Sequence, residues 1–194
     1  MARTRVGSPL GIALVSAVLA ALVAALVLSF VLDDGDDADA VPSITLDPDF
    51  VPEAQTEGDP APNVTFDDLR TGEAQTLEEL RDGRPVLINF FYRTCPPCVV
   101  EMPDLQAAYE EYGDRVAFLG ISVQESVEDG LELVERTGVT YPVGRDPDGS
   151  IVSAFGVPGF PTTVVVDADG TIRLSYTRRI SAERLAEELD RVVV

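Results

Sequence analysis

The chain has 194 residues, with 34 acidic side chains against 14 arginines and no lysine, histidine or tryptophan. A net charge of −20 argues against a nucleic-acid partner, whose phosphates need a basic surface. The missing histidine removes Cys–His nucleophilic catalysis, histidine metal ligation and histidine pH sensing together, and the length allows one ordinary domain plus appendages.

Arg3 and Arg5 precede a run of 23 uncharged residues, Leu10 to Leu32. That run exceeds the roughly 20 residues needed to span a bilayer. It also exceeds a signal-peptide core, although Ala38-Asp39-Ala40 offers a small-x-small cleavage site as the competing reading. Residues 1–32 are therefore expected to be a signal-anchor helix. The positive-inside rule then leaves the N-terminus in the cytoplasm and exports the rest, with a bacterial plasma membrane as the expected location. Residues 33–59 hold ten acidic residues, no basic ones and three prolines. Such a segment cannot bury enough apolar surface to fold and reads as a disordered acidic tether.

The folded domain is expected over 60–194. Pro62–Leu69 reads as a strand, Gly72 as a turn and Glu73–Leu77 as a returning strand. Leu77–Leu80 is a short helix ended by Asp82-Gly83. Arg84–Tyr92 is an apolar strand. From Cys98 the apolar residues Met102, Leu105, Tyr109 and Tyr112 recur at helical spacing, which predicts a helix over Pro96–Tyr112, with a kink expected at Pro103. Arg115–Val123 is a buried strand and Val127–Thr137 a helix stopped by Gly138. Tyr141–Val143 is a short strand and Ser150–Phe155 a short helix. Thr162–Asp167 and Thr171–Tyr176 form a hairpin about Asp169-Gly170. Ser181 caps a final helix to Val192. Alternating strands and helices closed by a hairpin and helix give an α/β domain with a mixed sheet and helices on both faces.

The chemistry concentrates in Cys95-Pro96-Pro97-Cys98, which holds the only two cysteines, between a strand and a helix. The prolines suit a helix start, where N–H groups have no partner. The positive end of that helix lowers a thiol's pKa, so Cys95 is expected to be an exposed, ionised nucleophile and Cys98 the residue that resolves its mixed disulfide. A purely stabilising bridge across so short a loop gains little. A zinc site needs about four ligands, so no metal is expected.

These pieces resemble the thioredoxin superfamily, and more narrowly the TlpA/ResA type of membrane-anchored extracytoplasmic thiol–disulfide oxidoreductase. The likeness rests on Asn89-Phe90-Phe91, Cys95-Pro96-Pro97-Cys98, Glu101-Met102-Pro103 and Gly156-Val157-Pro158-Gly159-Phe160-Pro161-Thr162-Thr163. It implies a three-layer thioredoxin-like fold, with 113–145 as an extra strand–helix insertion. Pro161 matches the family's cis-proline, which leaves the backbone of Phe160 free to pair with a substrate strand. Glu101 matches a glutamate that can take the Cys98 proton. Asn89 stands where cytosolic relatives carry a buried aspartate, and reads as a hydrogen-bonded core amide. Thr94 replaces the usual tryptophan. Arg93 beside it is expected to favour the Cys95 thiolate and to shape partner choice.

The resemblance further implies a tethered enzyme that reduces disulfides of exported proteins, apocytochrome c among them. Its electrons would come from a membrane thiol reductant, since no nicotinamide or flavin motif is present and no cofactor is expected. Three other readings compete. A peroxiredoxin-like peroxidase needs Thr-x-x-Cys, and Thr94 is misplaced for it. A copper-carrying assembly protein needs a histidine. A redox-inert binding module would show no change in alkylation on reduction.

Overall fold

Val86–Phe91 carries six consecutive buried side chains, Val-Leu-Ile-Asn-Phe-Phe, and such a strand must be covered on both faces. The computed structural model describes residues 57–193 and places this strand, β3, inside a seven-stranded sheet. The remaining strands are β1 (Thr65–Asp68), β2 (Ala74–Thr76), β4 (Ala117–Val123), β5 (Val143–Asp146), β6 (Thr162–Val166) and β7 (Ile172–Thr177). Their order across the sheet is β2-β1-β5-β4-β3-β6-β7. Strands β3, β4 and β5 run parallel, while β6 is antiparallel to β3 and to β7. The helices are α1 (Leu77–Arg81), α2 (Pro96–Tyr112), α3 (Val127–Thr137), α4 (Ser150–Ala154) and α5 (Ala182–Val192).

Alternation along β3 divides the core in two. Leu87 and Phe91 join Met102, Leu105, Leu133, Leu185 and Leu189 of α2, α3 and α5 on one face. Val86, Ile88 and Phe90 join Leu77 of α1, Ile151 of α4 and Phe155 on the other. The mixed sheet with helices on both faces is therefore as expected.

Local signals account for most of the element ends. Ser126 and Ser181 accept from the amides of Asp129 and Arg184, capping α3 and α5. Thr76 and Glu79 form a reciprocal capping box at α1. After α1 the chain reverses through Asp82 and Gly83, both left-handed at φ 48° and 72°. Pro103 lies inside α2 without ending it, and nine further residues continue the helix.

Two bounds lie elsewhere than expected. The domain starts earlier than residue 60, because the Gly58 amide donates to the Ile172 carbonyl and the Ile172 amide to that of Asp59. Gly58 and Asp59, placed by composition in the expected tether, thus pair with the β7 edge. Strand β5 lies two residues beyond its expected start at Tyr141. Its polar Arg145 and Asp146 are held by pairing to β4 and, for Arg145, to Asp67 of β1, a requirement that apolar patterning does not register. The stretch 113–145 carries β4 and α3 and runs into β5, with β4 directly between β3 and β5. The expected anchor at 1–32 and the tether up to residue 56 lie outside the described residues. Within 57–193 no helix is long and apolar enough to cross a membrane.

Candidate active site

Strand β3 ends at Phe91, and the chain turns through Tyr92-Arg93-Thr94 into α2. The Cys95 amide donates to the Tyr92 carbonyl at 3.2 Å, which closes that turn. Cys95 is the N-cap residue of α2 and keeps extended backbone angles, φ −91° and ψ 101°. Its sulfur accepts from the Cys98 amide at 3.3 Å. A helix-end amide directed at a sulfur favours the charged thiolate over the thiol.

The two sulfurs are joined, with S–S 2.00 Å and Cα–Cα 5.3 Å. The structure is therefore that of the oxidised enzyme. Both cysteines are buried, Cys95 at 2% exposure and Cys98 at 0%. This corrects the expectation of an exposed Cys95. In the disulfide its sulfur joins the core under α2, while Thr94, Pro96 and Pro97 form the exposed surface around it.

The rings of Tyr92 and Phe160 pack against that core and meet edge to face, with centroids 5.4 Å apart. With Thr94, Val123, Gln124 and Glu125 they line an open groove of about 340 Å³. The Phe160–Pro161 peptide, which begins at the groove's Phe160, is cis, as expected for Pro161. Phe160 lies two residues before the start of β6, and its backbone makes no main-chain hydrogen bond among the described residues. A strand docking there finds free donors and acceptors. Thr162 holds the turn: its hydroxyl donates to the Gly159 carbonyl at 2.7 Å and lies 2.9 Å from the Thr177 hydroxyl.

Behind the disulfide lies Glu101, fully buried one turn along α2 from Cys98. Its Oε1 accepts from the Thr163 hydroxyl at 3.2 Å and from the Ile180 amide at 3.3 Å. Burial pushes its pKa up to about 7, and these two hydrogen bonds and the Arg179 charge offset only part of that. A carboxyl titrating near neutrality can take and return a thiol proton. Asn89 is a buried amide that donates to Thr163 Oγ1 at 3.2 Å, as expected of it. Arg93 turns towards α3. Its guanidinium pairs with Asp129 at 3.0 Å and Glu132 at 3.4 Å on α3, and its amide donates to Glu125.

Sequence reasoning overlooked two partners of Glu101, Thr163 and the Ile180 amide. Thr163 stood in a β-branched run that reads only as strand, and a backbone amide carries no residue-type signal.

Known proteins agree with this geometry. The AhpC/TSA family model matches residues 57–175. A thiol–disulfide oxidoreductase ResA of Halalkalibacterium halodurans is 31% identical over 132 residues, 68% of this chain and 73% of that protein. A thiol:disulfide interchange protein DsbE of Allochromatium vinosum is 31% identical over 151 residues, 77% of this chain and 82% of that protein. The crystal structure of a DsbF homologue from Corynebacterium diphtheriae superposes with a TM-score of 0.63 at 27% identity, covering 70% of this chain and 87% of that one. A dithiol pair at a helix start, opposite a cis-proline on the thioredoxin scaffold, and relatives of this kind lead to one conclusion: the chain belongs to the thioredoxin-like AhpC/TSA family and is a thiol–disulfide oxidoreductase of the ResA/DsbE kind.

Proposed function

We propose that this oxidoreductase works as a reductase of disulfides in exported proteins, apocytochrome c among its clients. It would be held at the outer face of the plasma membrane by residues 10–32. The 23-residue uncharged run behind Arg3 and Arg5 supports the tether. The observation that carries the catalytic reading is the buried Glu101, poised to titrate near neutrality one turn from Cys98.

The client chain docks as an added strand along Phe160 and Pro161, with Thr94 and Tyr92 across the groove. The Cys95 thiolate attacks one client sulfur, forms a Cys95–client disulfide and expels the other client sulfur as thiolate. The Cys98 thiol gives its proton to the Glu101 carboxylate. The Cys98 thiolate then attacks the Cys95 sulfur, forms the Cys95–Cys98 bond and releases the second client thiolate. Two electrons pass from the dithiol to the client disulfide. A membrane thiol donor restores the dithiol by the same exchange in reverse.

Equilibration of the full chain in detergent with glutathione buffers tests the direction. The pair is expected to be more reducing than glutathione; a less reducing pair would make the enzyme an oxidant. Arg93, whose charge is shared between two carboxylates, adds little to Cys95 ionisation in this reading. Arg93→Ala is expected to leave the Cys95 titration, followed by thiolate absorbance at 240 nm or by alkylation rate, where it was. An upward displacement would restore Arg93 to the sulfur's environment.

A further inference from the structure

We propose that Thr163 is a positioning residue for the disulfide chemistry: its hydroxyl sets the proton affinity of Glu101, and it does so from the strand that carries the cis-proline. The inference rests on the reading of Glu101 as the proton acceptor for Cys98.

Three buried side chains from three elements meet here. Asn89 lies on β3, Glu101 on α2 and Thr163 on β6, at 1%, 0% and 0% exposure. Register places Asn89 directly opposite Thr163. The direction of the hydrogen bonds follows from what each group can do. An ionised Glu101 only accepts. Thr163 has one hydroxyl proton, which therefore points to Oε1, leaving its oxygen lone pairs for the Asn89 amide. Asn89 thus holds the hydroxyl in the orientation that favours a charged carboxylate. Hydrogen bonds to the charged form lower a carboxyl's pKa against the pull of burial.

The other groups facing Glu101 are few. The Ile180 amide shares Oε1 with Thr163. Arg179 favours ionisation, although it is itself paired with Asp104, whose charge opposes it. The buried Tyr141 ring also senses the carboxylate: burial raises its phenol pKa, and the Glu101 charge raises it further. Arg179 and Asp104 are part-exposed and screened by solvent, so the two buried donors to Oε1 give the firmer hold.

Position gives the arrangement its consequence. Thr162 and Thr163 are adjacent on β6 and face opposite sides of the sheet. The first ties down the Gly159–Pro161 turn on which a client docks, and the second ties down the proton acceptor. Two neighbouring hydroxyls thus serve the docking turn and the proton-transfer site separately.

Carbon-13 NMR of glutamate side chains in the oxidised full chain tests this directly, because joined cysteines carry no titrating proton. Glu101 is one of 15 glutamates, and its carboxyl resonance is assigned by its loss in Glu101→Gln. Thr163→Val is expected to move its midpoint upward by about one pH unit from near 7. Thr163→Ser should leave it in place. Thr163→Ala, which adds no methyl to a buried site, should reproduce the valine result if valine disturbs folding. In single turnover at pH 7 the same upward movement should slow resolution of a Cys95 mixed disulfide about fivefold, with the loss recovered as pH rises. An unmoved midpoint in both Thr163→Val and Thr163→Ala overturns the proposal, as does an equal movement in Thr163→Ser. A midpoint that moves while Glu101→Gln leaves resolution unchanged removes only the catalytic reading of Glu101.

Discussion

Cys95→Ser is expected to lower disulfide exchange to the uncatalysed background, a loss of at least about 10³-fold, whereas Cys98→Ala should retain the first attack and stop there. The difference follows from the positions of the two sulfurs. Cys95 occupies the N-cap, where the Cys98 amide stabilises its charged form. Cys98 lies inside the helix, fully buried, and its one reachable target is the neighbouring sulfur. Cys98→Ala protein should therefore accumulate as a dithiothreitol-sensitive adduct with its client, visible on a non-reducing gel and identifiable by mass spectrometry. Equal residual turnover in the two variants would remove the division of roles. In the oxidised state the two sulfurs are bonded to each other and neither is a thiolate, so alkylation of wild-type enzyme should appear only after reduction.

Glu101→Gln should change both stability and rate, and both changes should depend on pH. The folded protein holds the Glu101 proton up to about 7, while a free carboxyl of this kind releases it near 4.5. A carboxyl pKa raised by folding stabilises fully below 4.5, and that contribution is lost as pH rises towards 7. At about 1.4 kcal/mol per pH unit the interval amounts to roughly 3 kcal/mol. Glutamine carries no such charge and can still accept from Thr163 and Ile180. Urea unfolding should then find Glu101→Gln and wild type closest at pH 4, with the variant gaining on wild type by about 3 kcal/mol at pH 8. Over the same range its resolution step should slow by about 10²-fold and lose its inflection near pH 7. A stability difference that stays flat with pH would mean that Glu101 is not held protonated by its site. An unchanged pH–rate profile would mean that it takes no proton from Cys98.

Much of this chain could be read without coordinates. The helix over Pro96–Tyr112, the helix over Val127–Thr137 and the capping by Ser181 emerge with the expected ends. Each is marked by local chemistry: paired prolines at a start, a left-handed glycine at an end, a serine oxygen on an orphan amide. Strand β5 was displaced because its polar residues are held by pairing with strands distant in sequence. The Gly58–Asp59 contact with Ile172 was hidden for the same reason, since composition marked that stretch as tether.

The sequence by itself determined the strand–dithiol–helix unit, the cis-proline candidate and the fold class, because each depends on residue types at short spacing. Only the tertiary structure decided where the charges and hydrogen bonds go. It pairs Arg93 with Asp129 and Glu132, encloses Cys95, and brings Asn89, Thr163 and the Ile180 amide from three distant segments around Glu101. The physical reason is range. Caps, turns and helical stripes are settled within a few residues, whereas a buried carboxylate's proton affinity depends on whatever the folded sheet and helices place against it.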